Sequence, residues 1–201
     1  MDIFSGDNLI NLIKTGGLLG LFFITFAESG LFFGFFLPGD SLLFTAGFLA
    51  SQDVFNLPLL LLILFLGAIL GDNVGYSFGK KIGPKIFNKE DSRFFKKENL
   101  LKAQAFYEKH GPKTIVLARY TPIIRTFAPI IAGVSSMKYS TFLTYNIIGG
   151  GLWTLSMTLA GYFLGSVIPD VDKYMLPIIA IIIIVSLIPA ASEYLRSKAK
   201  K

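Results

Sequence analysis

Three stretches of this chain stay apolar for nearly the thickness of a lipid bilayer, and no other feature restricts its fold so strongly. Residues 57–70 (LPLLLLILFLGAIL), 140–168 and 175–191 (MLPIIAIIIIVSLIPAA) contain no charged side chain. A helix needs about 20 such residues to cross, because each backbone polar group must be satisfied within the segment where no water is present. The first and last stretches reach that length with their small flanking residues. Charged residues make up 16% of the 201-residue chain, against about 25% in soluble domains. The expected fold is therefore an all-α polytopic membrane protein.

The remaining apolar sequence is punctuated. Residues 16–50 are too long for one straight span and too short for two, and their strong breaker is Pro38-Gly39-Asp40. A re-entrant helical hairpin, entering and leaving on one side, fits that length. Residues 113–134 read as a second hairpin, broken by Pro122 and Pro129. The expected order is hairpin 16–50, span 57–79, basic segment 80–112, hairpin 113–134, span 140–166 and a further C-terminal span 175–195. Within the basic segment, 98–110 has the pattern of a short amphipathic helix stopped at His110-Gly111-Pro112.

Charge sets the orientation. Ten of the 19 basic residues fall in 80–113 and four more in 196–201. Cytoplasmic loops carry the excess of Lys and Arg, so both segments are expected inside, with 51–56 and 167–174 outside. The opening MDIFSGDN lacks the basic start of a signal peptide, so no cleaved leader is expected. With no cysteine and one histidine, neither a metal nor another cofactor is expected.

A repeat supports this layout. Ala46-Gly47, Gly75-Tyr76 and Gly79 recur as Ala132-Gly133, Gly161-Tyr162 and Gly165, at an offset of 86. Each copy is a hairpin followed by a span, and the loop charges run the two spans in opposite directions. Inverted repeats with broken helices characterise transporters, whose site lies where the broken elements meet. Glycines 67, 71, 75, 79 and 83 recur every four residues, a stripe suited to close helix packing. Gly149-Gly150-Gly151 reads as close packing or a hinge. GYSFGKK has the wrong spacing for a nucleotide loop, and no nucleic-acid partner is expected.

Five ionisable residues lie inside apolar segments: Glu28, Asp40, Asp72, Arg119 and Arg125. Unpaired at the membrane centre, each costs roughly 2.5–3.5 kcal/mol on an insertion scale. The first hairpin carries the acids and the second the arginines, so packing one on the other neutralises both. Arginine keeps its charge and grips phosphate with a fork of donors, while acids in a partly dry site can take up protons. Arg119 and Arg125 are thus candidates for a phosphate headgroup, Glu28 and Asp40 for proton coupling, and Asp72 for an accessory role.

These residues lie in motifs that resemble the DedA family of bacterial membrane proteins. The resemblance covers about residues 16–166. It rests on Glu28-Ser29-Gly30 with Pro38-Gly39-Asp40-Ser41-Leu42-Leu43, on GDNVGY with Gly79-Lys80, on His110-Gly111-Pro112-Lys113 with Arg119, Tyr120, Pro122, Arg125 and Pro129, and on Asn146 with Gly149. It implies two opposed re-entrant hairpins and a role in lipid translocation: recycling of undecaprenyl phosphate, phospholipid scrambling and proton-motive-force-dependent membrane homeostasis. The family's essential acids and arginines fall on Glu28, Asp40, Arg119 and Arg125.

The expected function is proton-linked flipping of undecaprenyl phosphate or a phospholipid, in a bacterial inner membrane. The competing reading is a proton-coupled exporter of cations or drugs. The partners are a lipid phosphate, protons and the membrane, and a homo-oligomer is compatible with the sequence. An intramembrane enzyme is not expected, since the lone His110 lies outside the apolar segments.

Overall fold

The computed structural model describes residues 6–31, 39–87, 111–135 and 137–167. Pro38, the 98–110 helix, His110 and the 175–195 span fall outside them. The described residues form helices joined by turns, with no strand among them. In order these are α1 (Gly6–Gly30), α2 (Gly39–Ala50), α3 (Leu57–Phe87), α4 (Lys113–Ala118), α5 (Pro122–Val134) and α6 (Tyr139–Val167).

Two helices are long and apolar enough to cross a membrane, over Leu57–Ile82 and Tyr139–Val167. Asn56 starts α3: its side-chain oxygen accepts from the Leu59 backbone N–H at 3.0 Å, satisfying a donor that has no partner within the helix. Pro58, in the first turn, lacks an N–H where none is needed. The helix then turns the soluble pattern inside out. Leu62, Leu66, Leu70, Val74 and Phe78 point outward, while Asp72 is buried. Likewise α6 exposes Ile147, Leu152 and Phe163 and buries Asn146, Thr154 and Thr158. Apolar outside and polar inside is what a lipid solvent selects.

Three expected boundaries change. Helix α1 begins at Gly6, ten residues before the expected start of the apolar segment. Helix α3 runs on to Phe87, so 80–87 continues that helix and does not open a separate basic segment. Pro129 breaks nothing, for it lies inside α5. The break falls instead at Arg119–Thr121. A residue preceding proline is pushed out of the helical region, and Thr121 is extended at φ −120°, ψ 108°, directly before Pro122 at the start of α5. Pro129 still removes the bond its N–H would give to the Arg125 carbonyl. Its ring packs close to Gly75 of α3, so it serves a helix contact.

The chain divides into two compact units. The first comprises Met1–Phe23, Phe36–Leu64 and Thr154–Lys201. In it α2 crosses the C-terminal half of α6. A Cβ on Gly47 would strike the Thr158 carbonyl, and one on Gly161 would strike the Phe44 carbonyl. Gln52 at the end of this crossing donates to the Gly165 carbonyl at 3.1 Å, and Leu43, Phe48, Leu60 and Leu64 are fully buried.

The second unit comprises Ile24–Phe35 and Phe65–Trp153. Here α5 crosses α3 in the same manner: a Cβ on Gly133 would strike the Tyr76 carbonyl, and one on Gly79 the Ile130 carbonyl. Tyr76 also stacks on Phe142, with centroids 4.5 Å apart, and donates to the Met137 carbonyl at 2.6 Å. Ile115 and Ala132 complete this cluster. Together these contacts fix α4, α5 and the start of α6 on α3.

Candidate functional site: a buried two-arginine cluster

The second unit assembles its charges through three local devices. Gly30 and Gly71 meet backbone to backbone, so the end of α1 presses on α3. That contact brings in Glu28, in the last turn of α1, and Asp72, the residue after Gly71. Both are buried, Glu28 completely. The third device is the break before Pro122. Arg119 and Arg125 are six residues apart, which on one straight helix would set them about 240° around the axis at 3.6 residues per turn. With the chain redirected between α4 and α5, both reach the same place. Arg119 is 3% exposed and Arg125 6%.

Each guanidinium has its own carboxylate. Arg125 Nη2 pairs with Glu28 Oε1, and Arg119 Nη2 pairs with Asp72 Oδ2. Arg119 Nη2 also donates to Asn146 Oδ1 of α6. The same asparagine donates through Nδ2 to the Ile69 carbonyl at 3.2 Å. Both arginines lie over Trp153, with Cζ at 5.9 Å from the ring centroid for Arg119 and 5.0 Å for Arg125. The negative face of a desolvated indole attracts a cation, so one ring supports both charges. Trp153 is fully buried.

Gly149 and Gly150 make room for this. A Cβ on Gly149 would sit 3.2 Å from Arg119 Cδ, and one on Gly150 3.5 Å from Arg119 Nη2. One face of α6, from Asn146 through these glycines to Trp153, is therefore the bed on which Arg119 lies. Some hydrogen-bonding capacity stays unused. Among the described residues, Glu28 Oε2, Thr25 Oγ1 and Arg119 Nε are buried without a partner. Buried polar atoms are nearly always satisfied, so these three atoms are the unmet donor and acceptor capacity of the cluster.

Of the residues singled out from sequence, Glu28, Asp72, Arg119 and Arg125 come together in this unit. Asp40 lies in the first turn of α2, half-buried, in the first unit. Gly39 opens α2, and Pro122 opens α5. Asp72 is a full ion-pair partner, a closer involvement than its accessory assignment suggests. Sequence reasoning placed Asn146 in a family motif without giving it a role at the site, and missed Trp153. The available signal was an amide seven residues before the chain's single tryptophan, and so on one helix face, in a span otherwise free of charge.

Residues 37–163 match the VTT domain. Protein DedA of Escherichia coli (strain K12) is 47% identical over 180 residues, covering 89% of this chain and 82% of that protein. The chain belongs to the DedA family. An uncharacterized membrane protein of Mycobacterium tuberculosis (strain ATCC 25618 / H37Rv) is 50% identical over 175 residues, 86% of this chain and 76% of that protein. The inner membrane protein YqjA of Escherichia coli (strain K12) is 34% identical over 145 residues, 72% of this chain and 66% of that protein. No solved structure matches. In DedA-family terms, the ion pairs, Asn146 and Trp153 all lie within or beside the matched domain, Glu28 falling just before it.

Proposed function

We propose that this protein is a lipid translocase, moving a phosphate-bearing headgroup between leaflets while the lipid tail stays in the membrane. Undecaprenyl phosphate is the first candidate substrate and a phospholipid the second. Arg119 and Arg125 bind the phosphate, and Glu28 and Asp40 exchange protons as the site changes exposure. One observation carries the reading: two arginines are buried against one tryptophan ring, each neutralised by a carboxylate that an incoming anion can replace. A static pair would rarely be retained for stability, since apolar packing serves as well. Guanidinium forks suit phosphate, and fixed buried charge without a substrate would be cost alone.

Alternating exposure of the site follows from the repeat. Gly47 and Gly133, related by the offset of 86, each meet a partner backbone carbonyl, one in the crossing of α2 with α6 and the other in that of α5 with α3. This supports an inverted repeat of two re-entrant hairpins, each packed on the span of the other copy. We place the protein in the bacterial inner membrane, with the basic segment and the C-terminus cytoplasmic.

The test is reconstitution in liposomes carrying labelled undecaprenyl phosphate or labelled phospholipid. Leaflet exchange is measured with and without a pH gradient. Exchange above empty liposomes, stimulated by the gradient and lost in Arg119→Gln and Arg125→Gln, is expected. Exchange at background, or indifferent to both arginines, refutes the proposal. Gradient-driven movement of a cationic dye that needs the acids but not the arginines would favour the exporter.

A further inference from the structure

The proposed phosphate site leaves open what keeps Arg119 aimed once an anion has displaced its carboxylate. Nη2 has two hydrogens, and two acceptors use them, Asp72 Oδ2 and Asn146 Oδ1. Nε is buried with no partner among the described residues. A phosphate oxygen pair binding the Nε and Nη2 edge as a fork must therefore replace one of those two acceptors. Their anchorage differs. The only hydrogen bond described for Asp72 is the one to Arg119, whereas Asn146 is also tied by Nδ2 to the Ile69 carbonyl on α3. That carbonyl also accepts from Asn73 Nδ2 at 2.8 Å, and Asn73 Oδ1 accepts from the Tyr139 hydroxyl at 3.0 Å. Asn146 is thus tied to α3 through the Ile69 carbonyl independently of Arg119, whereas the described side-chain bond of Asp72 is to Arg119 itself.

We infer that Asn146 is the positioning residue of the anion site: a neutral acceptor that holds the Arg119 guanidinium on Trp153 while a phosphate takes the place of Asp72. Neutrality is the essential property. A second carboxylate at this position would cancel the charge that the phosphate must find, whereas an amide orients the arginine without competing for it. Gly149 and Gly150 serve the same end, leaving the Arg119 side chain a channel along α6. This inference rests on the phosphate-lipid reading above for its ligand, but the positioning itself can be read without any ligand.

The experiment uses the full chain in nanodiscs and its single tryptophan, whose emission responds to the two cations over its ring. Asn146→Asp keeps size and acceptor, adds charge and gives up the donor to the Ile69 carbonyl; Asn146→Leu removes both acceptor and donor at similar volume. Dihexanoyl phosphatidic acid and inorganic phosphate are titrated separately, so that a lipid headgroup and free phosphate are told apart. The apparent Kd for phosphatidic acid should rise at least tenfold in Asn146→Asp and less in Asn146→Leu, with melting temperatures close to the parent. Without ligand, Asn146→Leu leaves Asp72 as the acceptor on Nη2, so the guanidinium should turn toward Asp72 and the Trp153 emission should shift. Parent-like binding by Asn146→Asp together with unchanged emission in Asn146→Leu overturns the inference, as do equal losses in both variants that follow a fall in melting temperature. If the parent binds neither probe, the phosphate reading fails, and the emission of Asn146→Leu still decides whether Asn146 positions Arg119.

Discussion

Neutralising both members of the Glu28–Arg125 pair separates a structural tie from a working one. Glu28 is fully buried and the Arg125 side chain is 5% exposed, so neither charge can turn to water when its partner is removed. Arg125→Gln strands the carboxylate, whose second oxygen already lacks a partner; breaking a buried pair this way costs about 3–5 kcal/mol. Glu28→Gln retains an acceptor for Nη2, and that hydrogen bond offsets about 1 kcal/mol, so a loss of about 2–4 kcal/mol is expected. The double variant Glu28→Gln/Arg125→Gln buries two amides able to bond each other, and should lose only about 1 kcal/mol. The coupling is then at least about 4 kcal/mol, well above the error of additivity for independent sites. Reversible unfolding in mixed micelles, followed by Trp153 fluorescence, measures stability, and leaflet exchange per folded molecule measures function. The double variant should be more stable than either single variant yet transport at background. Additive single-variant losses would show that the pair does not interact as described. Full transport by the double variant would reduce the pair to a tie between α1 and α5.

Arg125→Lys keeps the charge and loses the fork, so exchange of phosphate lipid should fall at least tenfold while folded yield on size exclusion holds; wild-type exchange would reduce Arg125 to a counter-ion. Gly47→Ala and Gly133→Ala each force a Cβ against a backbone carbonyl at a helix crossing and should cost about 1–3 kcal/mol or more. Gly20→Ala, with nothing within 4 Å, should be neutral or stabilising in the same unfolding assay, and equal effects at the three sites would contradict the crossings. Because the chain has no cysteine, a single cysteine at Lys97 reports sidedness directly. Labelling by a membrane-impermeant maleimide only after the inner face is opened is expected, and labelling from outside in intact cells would overturn the orientation.

Composition and periodicity alone determined that this is a helical membrane chain, because lipid accepts only backbone satisfied within its own segment, and long apolar runs report that requirement residue by residue. They also showed that Glu28, Asp72, Arg119 and Arg125 needed company, since an isolated charge there is too costly to keep. Which acid met which arginine was decided by tertiary packing. Glu28 and Arg125 are 97 positions apart and Asp72 and Arg119 are 47 apart, and what joins them is the close approach of Gly30 to Gly71 and the turn before Pro122. Pro129 shows the reverse case: its local preference to break a helix is real, and its packing against Gly75 prevails. Asn146 and Trp153 carry no charge, and neither the motif that holds Asn146 nor the seven-residue spacing between them says that an arginine would lie there. They became parts of the site because α6 lays one face, opened by two glycines, along an arginine contributed by another helix.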